Sequence, residues 1–192
     1  MGVEERDMAG VVSRLRALVP QRPLARWEAF RVAELQATRL LKLCEITGPP
    51  FPEALVTSLP RLTVERLTPI PVSGSAHWAR GRWVIVLNGA EPHLRQRFSL
   101  LHELKHVLDN PFIDYLYRAT GSMSAADQAE QICDYFAACV LMPRTWVKRA
   151  WGDGIQDYRE LAQLFHVSEG AMAIRLLGLG LTCTQRVRQR AG

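Results

Sequence analysis

The sequence has few cysteines, and the four of them, Cys44, Cys133, Cys139 and Cys183, form no C-x-x-C pair. Their spacing signals neither a cysteine zinc cluster nor a thioredoxin-type redox site. No apolar run approaches the roughly 18 residues of a membrane helix, and the first residues lack the order of a signal peptide. We therefore expect a cytoplasmic protein without a membrane partner, whose cysteines pack as small apolar side chains.

Neither charge sign is scarce, but positive charge is in excess. The 192 residues carry a net charge of +5, with 22% charged and 48% hydrophobic residues, which is typical of a globular chain. A basic tail that includes Arg186, Arg188 and Arg190 keeps nucleic acid open as a partner. Arginine-rich solvated surfaces are common, however, so charge alone does not establish nucleic-acid binding.

Hydrophobic periodicity and turn residues divide the chain into helices around a few strands. The predicted helices cover 8–18, 24–46, a segment from Pro92 to Asn110, a segment from Ser124 to Met142, 158–166 and 169–177. The predicted strands cover 62–66, 75–79 and 82–87, the last two as a hairpin. This order of elements predicts an α+β fold with a small β-sheet.

The clearest motif is H-E-x-x-H, formed by His102, Glu103 and His106 within a predicted helix. Residues four apart lie on one face of a helix, so the two imidazoles can chelate one Zn²⁺. Glu103 is one residue along, beside the metal, where it suits a catalytic base for the attacking water. A helix with two surface histidines and a glutamate is the alternative, so a third ligand has to decide.

The third ligand is predicted on the helix that begins at Ser124. The metzincin pattern is excluded, because it requires glycine and histidine where Asp109 and Phe112 stand. Glu130 and Asp134 are four residues apart, so Glu130 can bind the metal while Asp134 accepts a hydrogen bond from a ligand histidine. Apolar neighbours predict that both carboxylates are buried and need partners. The alternative for both is a solvated helix face.

Three stretches resemble the ImmA/IrrE-type metallopeptidases, a gluzincin-like family. They are R-Q-R-F-S-L-L-H-E-L-K-H at 95–106, E-Q-I-C-D-Y-F-A-A-C-V-L-M-P at 130–143, and the segment at 160–181. With the preceding hairpin, the resemblance covers about residues 75–181. The three motifs in this order are much more specific than H-E-x-x-H alone.

The chain departs from the family pattern at three positions near the motifs. Lys105 replaces the usual glycine, Cys133 the usual alanine and Asp134 the usual asparagine. Aspartate is a good hydrogen-bond acceptor, so the last change leaves the predicted role of Asp134 intact. Lys105 is expected to point away from the metal, because its charge would otherwise oppose Zn²⁺.

The resemblance implies a zinc-dependent endopeptidase that cleaves a helix-turn-helix transcriptional repressor. Such an anti-repressor acts in a stress response or in the control of mobile elements. On this basis we predict a metallopeptidase core at 71–145, between an N-terminal helical region at 1–70 of unassigned role and a helical region with the basic tail at 146–192.

A non-enzymatic role is the alternative: a regulatory binding module that keeps the zinc site but docks a repressor or DNA. Glu103 favours catalysis, because a purely structural zinc site needs no base.

The helix pair at 158–177 resembles a helix-turn-helix. A DNA-reading second helix begins with polar or basic residues that reach base edges. Here the second helix begins Glu169-Gly170-Ala171-Met172, which is poor chemistry for reading bases. We therefore expect this pair to pack on the core or to dock a repressor instead of binding DNA directly.

The substrate is predicted to bind as an extended strand. The segment that contains Trp83, Val84, Ile85 and Val86 is rich in β-forming residues and comes shortly before the H-E-x-x-H helix. If it lies at a sheet edge, its free N–H and C=O groups can pair with an added peptide.

Overall fold

The computed structural model describes residue 8 and residues 10–119 and 121–181; the basic tail predicted at Arg186, Arg188 and Arg190 lies outside them. The helices are α1 (Val11–Arg16), α2 (Arg26–Leu43), α3 (Ala54–Thr57), α4 (His93–Asp109), α5 (Ile113–Leu116), α6 (Ala125–Leu141), α7 (Arg144–Gly152), α8 (Tyr158–Phe165) and α9 (Glu169–Gly178). The strands are β1 (Leu62–Leu67), β2 (Gly74–Ala79) and β3 (Arg82–Asn88). The predicted α+β class with a small sheet is confirmed.

The three strands form one mixed sheet in the order β1-β3-β2. Strand β1 runs parallel to β3, with Leu62 opposite Trp83. Strand β2 runs antiparallel to β3 through the predicted hairpin, with Gly74 opposite Leu87. Ile85 and Leu87 are fully buried, so the sheet turns one face of β3 into the core.

The expectation that residues 82–87 lie at a sheet edge is wrong. These residues form β3, the central strand, which is paired with β1 on one side and with β2 on the other. Its N–H and C=O groups are therefore engaged within the sheet and cannot add a peptide. The apolar run that marks the segment as a strand is what a buried central strand requires. The free edges belong to β1 and β2.

Local capping signals place the starts of α6 and α9 where the sequence predicts them. The Ser124 hydroxyl accepts a hydrogen bond from Asp127 N at 3.0 Å, and the Asp127 carboxylate accepts one from Ser124 N at 3.3 Å. This is a capping box with aspartate in the glutamate position. Ser168 likewise caps α9 by accepting from Ala171 N at 3.2 Å.

Helix α7 was not predicted. The sequence pattern ends a helix at Met142, because Pro143 follows, and it indicates no further helix before residue 158. Pro143 also stands immediately before α7, with a φ of −56° that suits a helix start. The helix buries Val147 and Ala150, three residues apart on its inner face. The short helix α3 was also missed, and it contributes the buried Val56.

Helix α4 is the centre of the packing. It lies against α6, against strands β2 and β3, and against α1. One hydrophobic cluster runs through the described residues from Val11 to Leu176. Buried residues from all three predicted segments thus share one core, while the three-part division of the chain stays a prediction. Among the helices of the described ranges, none is both long and apolar enough to cross a bilayer.

Lys105 lies in this core and not in the cleft beside the motif. Its side chain is fully buried, and its Nζ donates to Asp109 Oδ1 at 2.6 Å and to Gln36 Oε1 at 2.8 Å. Tyr117 donates its hydroxyl to the same aspartate. The departure from glycine therefore places a buried ion pair within α4 and ties α4 to α2 by the hydrogen bond to Gln36. As expected, Lys105 points away from the cleft beside the motif histidines.

We expect Lys105→Met to destabilise the protein by about 3–5 kcal/mol, because it leaves the Asp109 carboxylate buried without its cation. Urea unfolding followed by circular dichroism measures the free energy of unfolding. Lys148→Met, on the exposed face of α7, is the matched control and should change it little.

Adding Asp109→Asn to Lys105→Met should recover part of the lost stability, because the double variant carries no buried charge at this point. Wild-type stability in Lys105→Met alone would show that the ion pair contributes nothing.

Candidate metal centre

Helices α4 and α6 bring His102, His106 and Glu130 to one point. The two histidine Nε2 atoms are 3.1 Å apart. Glu130 lies across from them, with Oε2 at 3.2 Å from His102 Nε2 and Oε1 at 3.3 Å from His106 Nε2. Two residues one turn apart on α4 and one residue on α6 therefore form a compact triangle of three potential ligand residues, in which each histidine nitrogen faces one oxygen of Glu130.

The size of this triangle fits a metal ion. Zinc binds imidazole nitrogen and carboxylate oxygen at about 2.0–2.2 Å, and the edges of a tetrahedron with such bonds are about 3.3–3.5 Å long. The observed separations of 3.1–3.3 Å are close to these edges. Nitrogen and oxygen donors of this kind suit zinc.

Asp134 holds His102 in the orientation that the triangle needs. His102 Nδ1 lies 2.8 Å from Asp134 Oδ1, one turn after Glu130 on α6. A proton on Nδ1 leaves the Nε2 lone pair free for a metal. Burial lowers the pKa of His102, but the hydrogen bond and charge of Asp134, together with nearby Glu103 and Glu130, outweigh burial and raise it overall.

The pKa of His106 shifts in the opposite direction to that of His102. Burial lowers its pKa, and the positive charge of His102 lowers it further. The imidazole is therefore held in its neutral form, which is the form that binds a metal.

The expectation that Glu130 and Asp134 are buried is wrong. Their side chains are 62% and 61% exposed, although the opposite face of α6 is packed into the core. Apolar residues on this helix therefore do not show that its carboxylates need partners. The argument for these two residues rests on their distances to the histidines.

Glu103 lies beside the triangle in a more enclosed place. Its side chain is 7% exposed, and burial raises its pKa. It packs against the bare backbone of strand β2: a Cβ added at Gly74 would be 3.0 Å from Glu103 Cγ and 3.1 Å from Oε1. Because Gly74 has no side chain, the Glu103 carboxylate fits between the sheet and the three candidate metal ligands.

Cys133 is a second candidate for the third ligand. His102, His106 and Cys133 form a cluster whose potential ligand atoms lie within 4.8 Å of one another. Cys133 is fully buried, and burial followed by the charge of Asp109 raises the pKa of its thiol well above the usual value. The Glu130 oxygens lie 3.2 and 3.3 Å from the two histidine nitrogens, and Glu130 lines the cleft whereas Cys133 does not, so we favour Glu130.

A cleft of about 790 Å³ surrounds these groups. Its walls come from the segment before β2, from β2 itself, and from α4 and α6: Pro71, Val72, Ser73, Gly74, Ser75, Ala76, Arg95, Phe98, Ser99, Asn110 and Ile113. Of the residues predicted to bind substrate, Trp83 lines the cleft and Val84, Ile85 and Val86 do not. The β2 residues were missed because strand order is a non-local property that the sequence pattern does not carry.

The family model of the IrrE N-terminal-like domain, peptidase family M78, matches residues 60–177. The chain belongs to this family. The matched range contains the three strands, the motif helices and the α8–α9 pair, and so includes His102, Glu103, His106 and Glu130. Membership implies a metallopeptidase type of protein.

A solved structure of another protein shows the same fold. It is described as a Mycobacterium tuberculosis transcriptional regulator, and it matches with a TM-score of 0.62 and 16% identity. The match covers 94% of this chain and 54% of that chain, so the present chain spans about half the length of that structure. The comparison with curated proteins found no match to this chain.

We expect Gly74→Val to displace the Glu103 carboxylate, because the added side chain would occupy the space that Glu103 fills. We expect the free energy of unfolding to fall by about 1–3 kcal/mol. Because valine itself favours strand geometry, this loss would have to come from the clash with Glu103. Thermal unfolding and a crystal structure of the variant measure both effects.

Ser75→Val is the matched control, because Ser75 is the exposed neighbour on the opposite face of β2. Unchanged stability and an unmoved Glu103 in Gly74→Val would show that the close approach is unimportant.

Proposed function

We propose that this IrrE-like chain is a zinc-dependent endopeptidase. The observation that carries the proposal is the triangle of His102, His106 and Glu130, with the enclosed carboxylate of Glu103 beside it. Three protein ligands leave one position of a four-coordinate zinc ion for water or substrate, which is typical of catalytic zinc sites. A purely structural site would have four protein ligands and no need for a base.

Each residue of the site has a separate role in the proposed hydrolysis of a peptide bond. When bound, zinc supplies Lewis acidity that polarises the scissile carbonyl and lowers the pKa of a water molecule. Glu103 takes one proton from the attacking water and passes it to the leaving amine, so the base returns to its starting state as the C–N bond breaks. Asp134 keeps His102 in the tautomer that leaves Nε2 available.

The free edge of β2 is the strand edge that suits the substrate. Asn88 N donates to Ser73 O at 3.0 Å, so Ser73 and Asn88 form a hydrogen-bonded antiparallel pair. Such pairs alternate along the strands, which directs the N–H and C=O groups of Gly74 and Ala76 outward. Both residues line the cleft. A substrate strand paired with them would lie beside Glu103, in place of the excluded pairing with β3.

We further propose that the protein substrate is a helix-turn-helix transcriptional repressor, cleaved in the cytoplasm. The family resemblance supports this target, and the similar structure described as a transcriptional regulator is compatible with a regulatory role. The first turn of α9 carries Glu169, which lies 3.6 Å from Arg159. This acidic start disfavours contact with bases and phosphates, so we do not propose that α8 and α9 bind DNA.

A non-catalytic regulatory module that docks a repressor remains the second candidate. The exposed residues of the α8–α9 pair are compatible with docking, but a docking module makes no use of the enclosed carboxylate of Glu103. Co-expression with the product of a neighbouring repressor gene, followed by intact-mass analysis, distinguishes the two candidates. Only a peptidase changes the mass of the repressor.

We expect one zinc per chain, and we expect Glu130→Ala to weaken zinc binding by more than about tenfold. Glu130 is exposed, so the fold should survive its replacement. Cys133→Ala should retain zinc, because we assign the third ligand to Glu130, which lines the cleft, and not to the buried thiol. Elemental analysis after dialysis against a weak chelator measures the retained metal, and loss in Cys133→Ala with retention in Glu130→Ala would identify the thiol as the third ligand.

Glu103→Gln should reduce the rate of cleavage by roughly 10²–10⁴-fold, because glutamine keeps the size of the side chain but cannot accept the proton. Zinc content and stability should stay at the wild-type level. Glu65→Gln, on the exposed side of β1, is the control for a general effect of charge. Wild-type activity in Glu103→Gln would mean that another residue is the base.

The inactive Glu103→Gln variant also allows a substrate peptide to be seen in place. A crystal structure of this complex should show the peptide paired with Gly74 and Ala76 of β2. A peptide that lies across His102 and His106 without pairing to β2 would remove the strand-addition hypothesis and leave the metal assignment unaffected.

A further inference from the structure

A second, larger groove of about 990 Å³ opens beside the metal cleft. Arg95, Phe98 and Asp134 line both cavities, so the two are direct neighbours. The groove runs between α2, the first turns of α4, α6 and α9. A polypeptide whose scissile bond lies at the cleft can therefore reach this groove with a neighbouring segment.

The floor of the groove is apolar. Phe30 and Tyr135 meet edge to face at 5.1 Å between ring centroids, and Phe98 and Ala138 extend the surface along α4 and α6. Ile174 stands on the α9 wall with 74% of its surface exposed. An exposed isoleucine above half-buried aromatic rings is a surface that gains free energy when an apolar partner covers it.

The groove carries uncompensated positive charge. Its carboxylates are already engaged: Glu34 lies 3.1 Å from Arg31, and Asp134 bonds His102. Arg144 is exposed and has no carboxylate within 4 Å among the described residues. Arg175 also lacks a carboxylate partner there, but it is buried and donates to Met142 O at 2.9 Å, so Arg144 is the charge that a partner can reach. Helices α4 and α7 also begin at the rim, which adds the positive ends of their dipoles. The occupant should therefore carry acidic residues.

The groove suits a helix better than an extended strand. All of its lining residues belong to helices or to the turns beside them, so its walls offer no free strand edge for main-chain pairing. An extended segment would leave its own N–H and C=O groups unpaired against the apolar floor, whereas a helix satisfies them internally.

We propose that this groove, lined by α2, α6 and α9, docks an acidic amphipathic helix of the protein substrate while a flexible neighbouring segment lies in the metal cleft. The proposal rests on the proposed peptidase function for the identity of the partner. The chain's own residues 182–192 are a poorer occupant, because they contain three arginines and no acidic residue. The helix supplies specificity that a sequence-tolerant strand pairing at β2 does not.

The test uses a synthetic amphipathic helix about five turns long, with leucines on one face and glutamates beside them, and a twin with lysine at every glutamate position. Fluorescence anisotropy with the full chain measures the dissociation constant. We expect the acidic peptide to bind wild type and Glu103→Gln equally and the lysine twin to bind more weakly. This arm does not depend on catalysis.

Ile174→Asp should raise the dissociation constant of the acidic peptide by about tenfold or more, because it places a charge on the apolar wall. Leu177→Asp is the matched control: Leu177 is 77% exposed on the same helix but does not line the groove. Arg144→Gln should weaken binding by about two- to fivefold, whereas Lys148→Gln, on the same helix outside the groove, should not.

Joining the acidic helix to a flexible peptide that the protein cleaves should lower KM and leave kcat unchanged, because docking adds binding energy away from the reacting bond. If neither peptide is cleaved, the peptidase proposal fails while the binding measurements still decide the docking proposal. Equal binding to Ile174→Asp and wild type, or a preference for the lysine twin, overturns the docking proposal. So does a wild-type dimer that Ile174→Asp dissociates, since a second copy would then cover the groove.

Discussion

The packing of α4 against α6 is the interaction on which the rest of the structure depends. Buried side chains join the two helices below the surface, including Lys105, whose Nζ lies 5.9 Å from the ring centre of Phe136. Above this layer, one turn of each helix presents a pair of residues four apart, and the pairs meet around a single point. The close packing sets the distance between the pairs, so a shift of either helix would open the triangle of His102, His106 and Glu130.

The sheet and the groove divide the surroundings of this point between two kinds of recognition. On one side, β2 offers outward main-chain groups and, at Gly74, the space that Glu103 occupies. On the other side, helices enclose an apolar groove with positive charge at its rim. A strand edge binds main chain without reading sequence, while a helical groove reads side chains. Phe98 and Asp134 line both cavities, so one substrate can reach the two.

Much of the helical organisation is predictable from local signals. The capping box at Ser124, the cap at Ser168 and the proline after α6 give helix limits that the structure reproduces closely. Helix α7 was overlooked, because Pro143 was interpreted as an end alone. The burial of Glu130 and Asp134 was predicted wrongly, because an amphipathic helix can bury its apolar residues and still expose the carboxylates of its other face.

The sequence by itself determines that His102 and His106 share a helix face with Glu103 beside them, and that Glu130 and Asp134 share another, because residues four apart are neighbours in any α-helix. Only the tertiary structure decided which strand is the edge. Strand β1 precedes the hairpin and pairs with the far side of β3, and no local pattern distinguishes that arrangement from pairing with β2. It also decided that Lys105 enters the core, because the partners that make its burial tolerable come from residues as distant as Gln36.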